Sequence, residues 1–110
     1  MYKDDRRIFE RFEVDFPVEI KHPIAQMSTN ARCCDASASG IGLFSEERLL
    51  PSTNLQLQLD IPDGHSPFQG SARVVWSRQV EEERWHSGLE FMRINLMGLR
   101  RIFETRAQRD

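Results

Sequence analysis

Hydrophobic residues recur at every second position through most of this chain. Val14, Phe16, Val18 and Ile20 alternate with Glu13, Asp15, Glu19 and Lys21, the pattern of a strand with one buried face and one wet face. Pro17 falls inside that run, and a residue without an amide hydrogen places the strand at an edge or beside a bulge. Residues 26–34 alternate more weakly and predict a second strand. Ile41 and Leu43, with Ser45, predict a short third one. Leu55, Leu57, Leu59 and Ile61 alternate with Gln56, Gln58 and Asp60, the clearest strand in the chain, and Pro62-Asp63-Gly64 ends it in a turn. Phe68, Ala72, Val74 and Trp76 share one parity within 67–78, a fifth strand. Beyond the solvated turn Glu81-Glu82-Glu83, Trp85, Ser87, Leu89 and Phe91 predict a sixth. The period then changes: Leu96, Leu99, Ile102, Phe103 and Arg106 follow helical spacing. They predict an amphipathic helix over 95–108, with Asn95 as its N-cap and Gly98 weakening its first turn.

Six short antiparallel strands and a terminal helix predict a mostly-β fold, a small closed barrel with the helix over one open end. Closure removes the unpaired strand edges. The expected core is Val14, Phe16, Val18, Ile20, Ile41, Leu43, Leu55, Leu57, Leu59, Ile61, Val74, Leu89, Phe91, Leu99 and Phe103. Residues 1–12 are highly charged without a clean period and read as a flexible arm, with Phe9 and Phe12 as anchors; 13–110 read as the barrel with its helix. A chain of 110 residues supports one modest core, so one domain is expected.

Composition narrows the function classes. Lys and Arg number 15 against 17 Asp and Glu, a net charge of −2, so no global field draws a polyanion and any anion site must be a local cluster. No apolar stretch approaches the length of a membrane span, and Met1-Tyr2-Lys3-Asp4-Asp5 lacks the apolar core of a signal peptide. A reducing cytoplasm is the expected compartment. Cys33 and Cys34 are adjacent and point to opposite faces of a strand, so two free thiols are expected, at least one of them buried. His22, His65 and His86 have no metal-ligand spacing, and the cysteines form no C-x-x-C. No phosphate-loop glycine motif or nucleophile elbow is present. No catalysis, metal or cofactor is expected.

Two motifs carry the candidate chemistry. Arg7 and Arg11 form an R-x-x-x-R preceded by Arg6, and Asp35, Ser37 and Gly40 form a D-x-S-x-x-G between two predicted strands. Guanidinium forks match phosphate oxygens and the O6/N7 edge of guanine. A carboxylate accepts from the N1–H and amino group of guanine, and a hydroxyl beside a glycine turn completes a polar pocket. The same residues also have local readings. An arginine-rich terminus is often a solvated tail, an Asp-x-Ser turn often closes on its own backbone, and Trp76 and Trp85 are ordinary half-buried strand residues.

With these motifs in order within an all-β pattern, the chain resembles the PilZ domain family, the bacterial receptor module for cyclic di-GMP. The likeness runs over nearly the whole chain and includes Gly70-Ser71-Ala72-Arg73-Val74-Val75-Trp76 and Ser87-Gly88-Leu89-Glu90-Phe91. The resemblance implies a split barrel in which Arg7 and Arg11 clamp phosphate and guanine. It implies that Asp35 bonds a guanine edge, that Ser37 contacts the ligand and that Gly40 allows a close backbone turn. Trp76 is implied as an aromatic wall. The resemblance also implies that Arg6, just before the motif, favours two stacked cyclic di-GMP molecules, whose clustered phosphates give a third guanidinium an electrostatic use. Without ligand the three arginines repel one another; ligand binding would order the arm and present a new surface to a downstream protein partner, acting in trans. Two other classes remain open at this point. One is a PilZ-like adaptor that binds a protein and no nucleotide, with Leu49 and Leu50 as an apolar patch. The other is a nucleic-acid binder using Arg93, Arg100, Arg101, Arg106 and Arg109, which would show a steep salt dependence.

Overall fold

In a computed structural model the structure describes residues 11–22, 27–93, 98 and 100–104. Arg6, Arg7, Phe9, Leu96 and Leu99 lie outside the described residues. Six strands follow in order: β1 (Phe12–His22), β2 (Met27–Ala36), β3 (Gly40–Ser45), β4 (Asn54–Leu59), β5 (Phe68–Glu81) and β6 (Arg84–Phe91). They pair antiparallel throughout and close into a barrel in the order β1-β2-β3-β6-β5-β4, with β4 returning to β1. Two three-stranded meanders are thus joined along two seams, β3 against β6 and β1 against β4.

Alternation dictates which face turns inward. Val14, Phe16, Val18 and Ile20 of β1 are all buried, while Glu13, Asp15 and Pro17 between them are exposed. Leu55, Leu57 and Leu59 of β4, Ile41 and Leu43 of β3, and Val74 and Leu89 of β5 and β6 complete the interior, and Ile61 joins it just past β4. Ala31, Cys33, Ala36 and Ala72 fill the narrower gaps. Both cysteines are free, and Cys33 is buried.

Leu49, read from the sequence as half of a surface patch with Leu50, turns into the core, whereas Leu50 is exposed. The β3–β4 connection is pinned across the barrel end by Ser52 N–H to Val74 O at 2.7 Å and Val74 N–H to Thr53 O at 2.9 Å. Those bonds leave Leu49 over the interior.

The short C-terminal helix includes residues 98 and 100–104, and Ile102 drives into the barrel end. Helical spacing predicts Phe103 in the core, and the structure leaves it 52% exposed. Adjacent helical positions lie about 100° apart, so with Ile102 inward its neighbour faces away. The Phe103 ring instead meets Phe12 edge-on at 5.3 Å. Phe91, also expected in the core, is half-buried and packs against its margin.

An ion pair ties the helix to the β4–β5 turn. Arg101 donates from Nε to Asp63 Oδ2 at 2.7 Å and from Nη2 to Asp63 Oδ1 at 2.9 Å, and Nη2 also reaches the Ser66 carbonyl at 2.7 Å. Hydrogen bonding from Arg101 holds the Asp63 carboxyl well below the usual carboxylate range. A lowered folded-state pKa contributes stability above the unfolded value of about 3.9 and loses it as pH falls below that value. Arg101→Met should therefore lower the melting temperature at pH 7, with a gap from wild type that narrows below about pH 4. Thermal melts of both proteins across that range check this; a gap that does not change with pH contradicts it.

Candidate functional site

The outer wall of the barrel carries the site, and two bulges build it. Cys33 pairs with Leu43 and Asp35 with Gly42, so β2 has one more residue than β3 between those pairs. The extra residue lets Cys33 and Ala36 both face the core while Cys34 and Asp35 lie half-exposed outside. On the far side, Val74 pairs with Leu89 and Trp76 with Gly88, which makes Val75 an extra residue in β5. Val75 and Trp76 both turn out, Trp76 with 39% of its surface exposed.

Between the bulges, Gly42 pairs directly with Gly88 across the β3–β6 seam. Asp35, Gly42, Gly88 and Trp76 therefore form one row across four strands. The floor of this row has no side chains, and its flanking groups lean over it. A Cβ on Gly42 would stand 2.7 Å from Asp35 Oδ1, and one on Gly88 would collide with the Trp76 indole. Strand spacing puts the backbones of Asp35 and Trp76 roughly 14 Å apart along the sheet.

The last arginine of the first motif meets the second motif at Asp35. Arg11 Nη1 donates to Asp35 Oδ1 at 2.6 Å, across 24 residues of chain. Arg11 and Asp35 keep 47% and 27% of their side-chain surface in contact with solvent, so the pair contributes about 0–1 kcal/mol. A pair this weak exchanges readily for a ligand. The other motif residues act in the turn. Ser37 is buried; its amide donates to the Gly40 carbonyl at 2.9 Å, and its hydroxyl faces the same carbonyl at 3.5 Å and accepts from the Ser39 amide at 3.3 Å. Gly40 has an ordinary φ, and its lack of a side chain serves close approach: a Cβ there would overlap the Leu89 carbonyl of β6. The turn is held against β6 by Phe91 N–H to Ser39 O at 2.9 Å.

Below this row lies a set of side chains that sequence spacing did not assemble. His86 of β6 stacks on Phe44 of β3, with ring centroids 4.7 Å apart, and meets Trp76 edge-on at 4.9 Å. The Arg84 guanidinium lies 4.2 Å above the Phe44 ring, and that of Arg78 lies 5.7 Å from Trp76. Burial lowers the His86 pKa from its ordinary value, which favours a neutral ring at pH 7. The available signal was the register: Gly42 and Gly88 stand at outward positions between buried neighbours, where a missing side chain marks close approach.

Electrostatics limits where an anion fits. A groove of about 1130 Å³ opens beside Cys34, but its walls include Glu46, Glu47, Glu81, Glu82 and Glu83. Negative charge of that density repels phosphate, so the Arg11–Trp76 side of the wall is the anion-compatible side. On the helix, Arg100 pairs with Glu104 at 3.1 Å and Arg101 with Asp63, so two of the arginines in the nucleic-acid alternative are already neutralised.

A small closed barrel with an arginine–aspartate clasp on its outer wall defines a class of binding module built on a rigid scaffold. The PilZ domain family model matches residues 5–104, and the chain belongs to that family. In fold it is similar to the PilZ domain of YcgR from Escherichia coli, solved with cyclic di-GMP, at 15% identity and TM-score 0.74 over 94% of this chain and 93% of that one. It is also similar to the inhibitor of motility MotI/DgrA of Bacillus subtilis, at 18% identity and TM-score 0.72, covering 94% of this chain and 51% of that protein. The PilZ domain of CeSA from a cellulose-synthesizing bacterium matches at 17% identity and TM-score 0.59, over 86% of this chain and 91% of that one. No curated protein matches the chain in sequence. No helix among the described residues is long and apolar enough to cross a membrane.

Proposed function

We propose that the protein is a cyclic di-GMP receptor without catalytic activity, acting in the cytoplasm. The observation that carries this reading is the 2.6 Å contact between Arg11, the last residue of the R-x-x-x-R, and Asp35, the first of the D-x-S-x-x-G, on the barrel wall. Ligand phosphate replaces Asp35 as the partner of Arg11, and Arg7 and Arg6 join it from the arm. The freed Asp35 carboxylate accepts from the donor edge of guanine. Ser37 and Gly40 fix the turn that presents it, and the exposed Trp76 face limits the purine on the far side of the glycine floor. Arg6 supplies the third cation for a second, stacked dinucleotide. Ligand binding then orders the arm across the wall and creates a surface for a downstream protein partner. A known PilZ domain of like fold, that of YcgR, is described with cyclic di-GMP, which supports the choice of ligand.

Equilibrium dialysis tests specificity. The protein should retain cyclic di-GMP in the presence of excess GTP and show little affinity for duplex DNA. Preference for DNA with a steep salt dependence would instead favour the nucleic-acid reading.

A further inference from the structure

Cys34 and Asp35 lie on β2 and His86 on β6, yet one ligand atom from each falls within 4.8 Å of the other two. The Cys34 Sγ is 3.7 Å from His86 Nε2 and 3.9 Å from Asp35 Oδ2. Tetrahedral bonds of about 2.3 Å to sulfur and about 2.0–2.2 Å to nitrogen or oxygen require donor separations of roughly 3.3–3.6 Å. These two separations exceed that by only a few tenths of an ångström, and the third pair, Asp35 with His86, lies within 4.8 Å. All three residues are half-buried, which leaves a path from solvent.

The surroundings hold the ligand atoms in place. Phe44 stacked on His86 and Trp76 in a T-shaped contact with it hold the ring with Nε2 toward the thiol. Arg11 occupies Asp35 Oδ1, so Oδ2 is the oxygen turned to Cys34. The groove that opens at Cys34 is lined by Glu46, Glu47, Glu81, Glu82 and Glu83 beside Arg32 and Arg84, so the approach to the thiol is net acidic, while Arg11, Arg78 and Arg84 set positive charge against the Asp35–His86 side. A thiolate with an imidazole selects zinc-like ions over magnesium or calcium.

We propose that Cys34, Asp35 and His86 form a three-ligand site for a zinc-class divalent cation on the outer barrel wall. Binding forms a sulfur–metal bond as the Cys34 S–H proton leaves to solvent, with no change of oxidation state. Uptake therefore releases one proton per ion bound. Resting on the nucleotide reading above, a further consequence follows. The cation engages the carboxylate that guanine needs, so metal and cyclic di-GMP oppose each other at Asp35.

Titration of the full chain with Co²⁺ tests the site directly. The expected result is one ion per chain with thiolate-to-cobalt absorption in the near ultraviolet, displaced by Zn²⁺. Cys34→Ser should abolish that band, Cys33→Val should keep it, and His86→Gln should weaken affinity at least about tenfold. No thiolate band in the folded wild type, or a band that survives Cys34→Ser, overturns the site. Saturating Zn²⁺ should also weaken cyclic di-GMP binding at least about tenfold in the wild type and leave Cys34→Ser unaffected. A chain that takes Co²⁺ through Cys34 but ignores cyclic di-GMP contradicts the nucleotide reading and leaves the metal site standing.

Discussion

Replacing Arg11 with Ala should lower the affinity for cyclic di-GMP by about ten- to a hundredfold or more. A charge-assisted hydrogen bond contributes about 1.5–3 kcal/mol, and each 1.4 kcal/mol is about a factor of ten. Arg11 is the motif arginine that already stands at the Asp35 carboxylate, so its loss removes the donor placed to take the ligand phosphate. Stability should barely change, because the exposed pair contributes about 1 kcal/mol at most. Arg32→Ala is the control: Arg32 pairs with Asp15 at 2.7 Å on the exposed surface and lies outside the glycine-floored row. Its removal should leave affinity within about twofold of wild type. A competition assay on both variants measures this, and wild-type affinity in Arg11→Ala contradicts the assignment.

Gly40→Val has the opposite signature, a large loss of stability. A Cβ at Gly40 would overlap the backbone carbonyl of Leu89, and backbone in a closed six-stranded barrel does not move aside cheaply. Overpacking of this kind costs about 1–3 kcal/mol or more, and the branched side chain adds to the overlap. Gly70→Ala calibrates the result. Its Cβ would meet only the Phe68 side chain, at an ordinary 3.6 Å, so its effect should be small or slightly stabilising. Urea unfolding of both variants separates the cases; Gly40→Val as stable as Gly70→Ala contradicts the close-approach account.

These residues also show what sequence could and could not reveal. Binary alternation gave the six strands and most of the core, because in a closed barrel every strand has one wet and one dry face. It misplaced Phe103, where helical period leaves a choice between adjacent apolar positions, and Leu49, whose inward turn depends on two backbone bonds to β5. The motif residues Arg11 and Asp35 were legible as chemistry, since each is a polar group in a spacing that a family shares. Their meeting was not, because it depends on a bulge at Cys34 that shifts the parity of β2. His86 has no ligand spacing along the chain, yet the pairing of β2, β3 and β6 brings it within 3.7 Å of Cys34. Spacing rules detect sites formed within one element, and a barrel forms sites between strands that are distant in sequence. The glycine pair Gly42 and Gly88 falls between these cases: each outward glycine was visible, and their opposition required the register.

Isothermal titration of the full chain with cyclic di-GMP at near-physiological salt tests the central claim most directly. The account predicts saturable binding at about micromolar affinity or tighter, near −8 kcal/mol, with a ligand-to-protein ratio near two if Arg6 supports a stacked pair. No heat and no saturation at high ligand concentration would contradict the receptor reading and return the arginines to a solvated tail on a protein-binding PilZ domain.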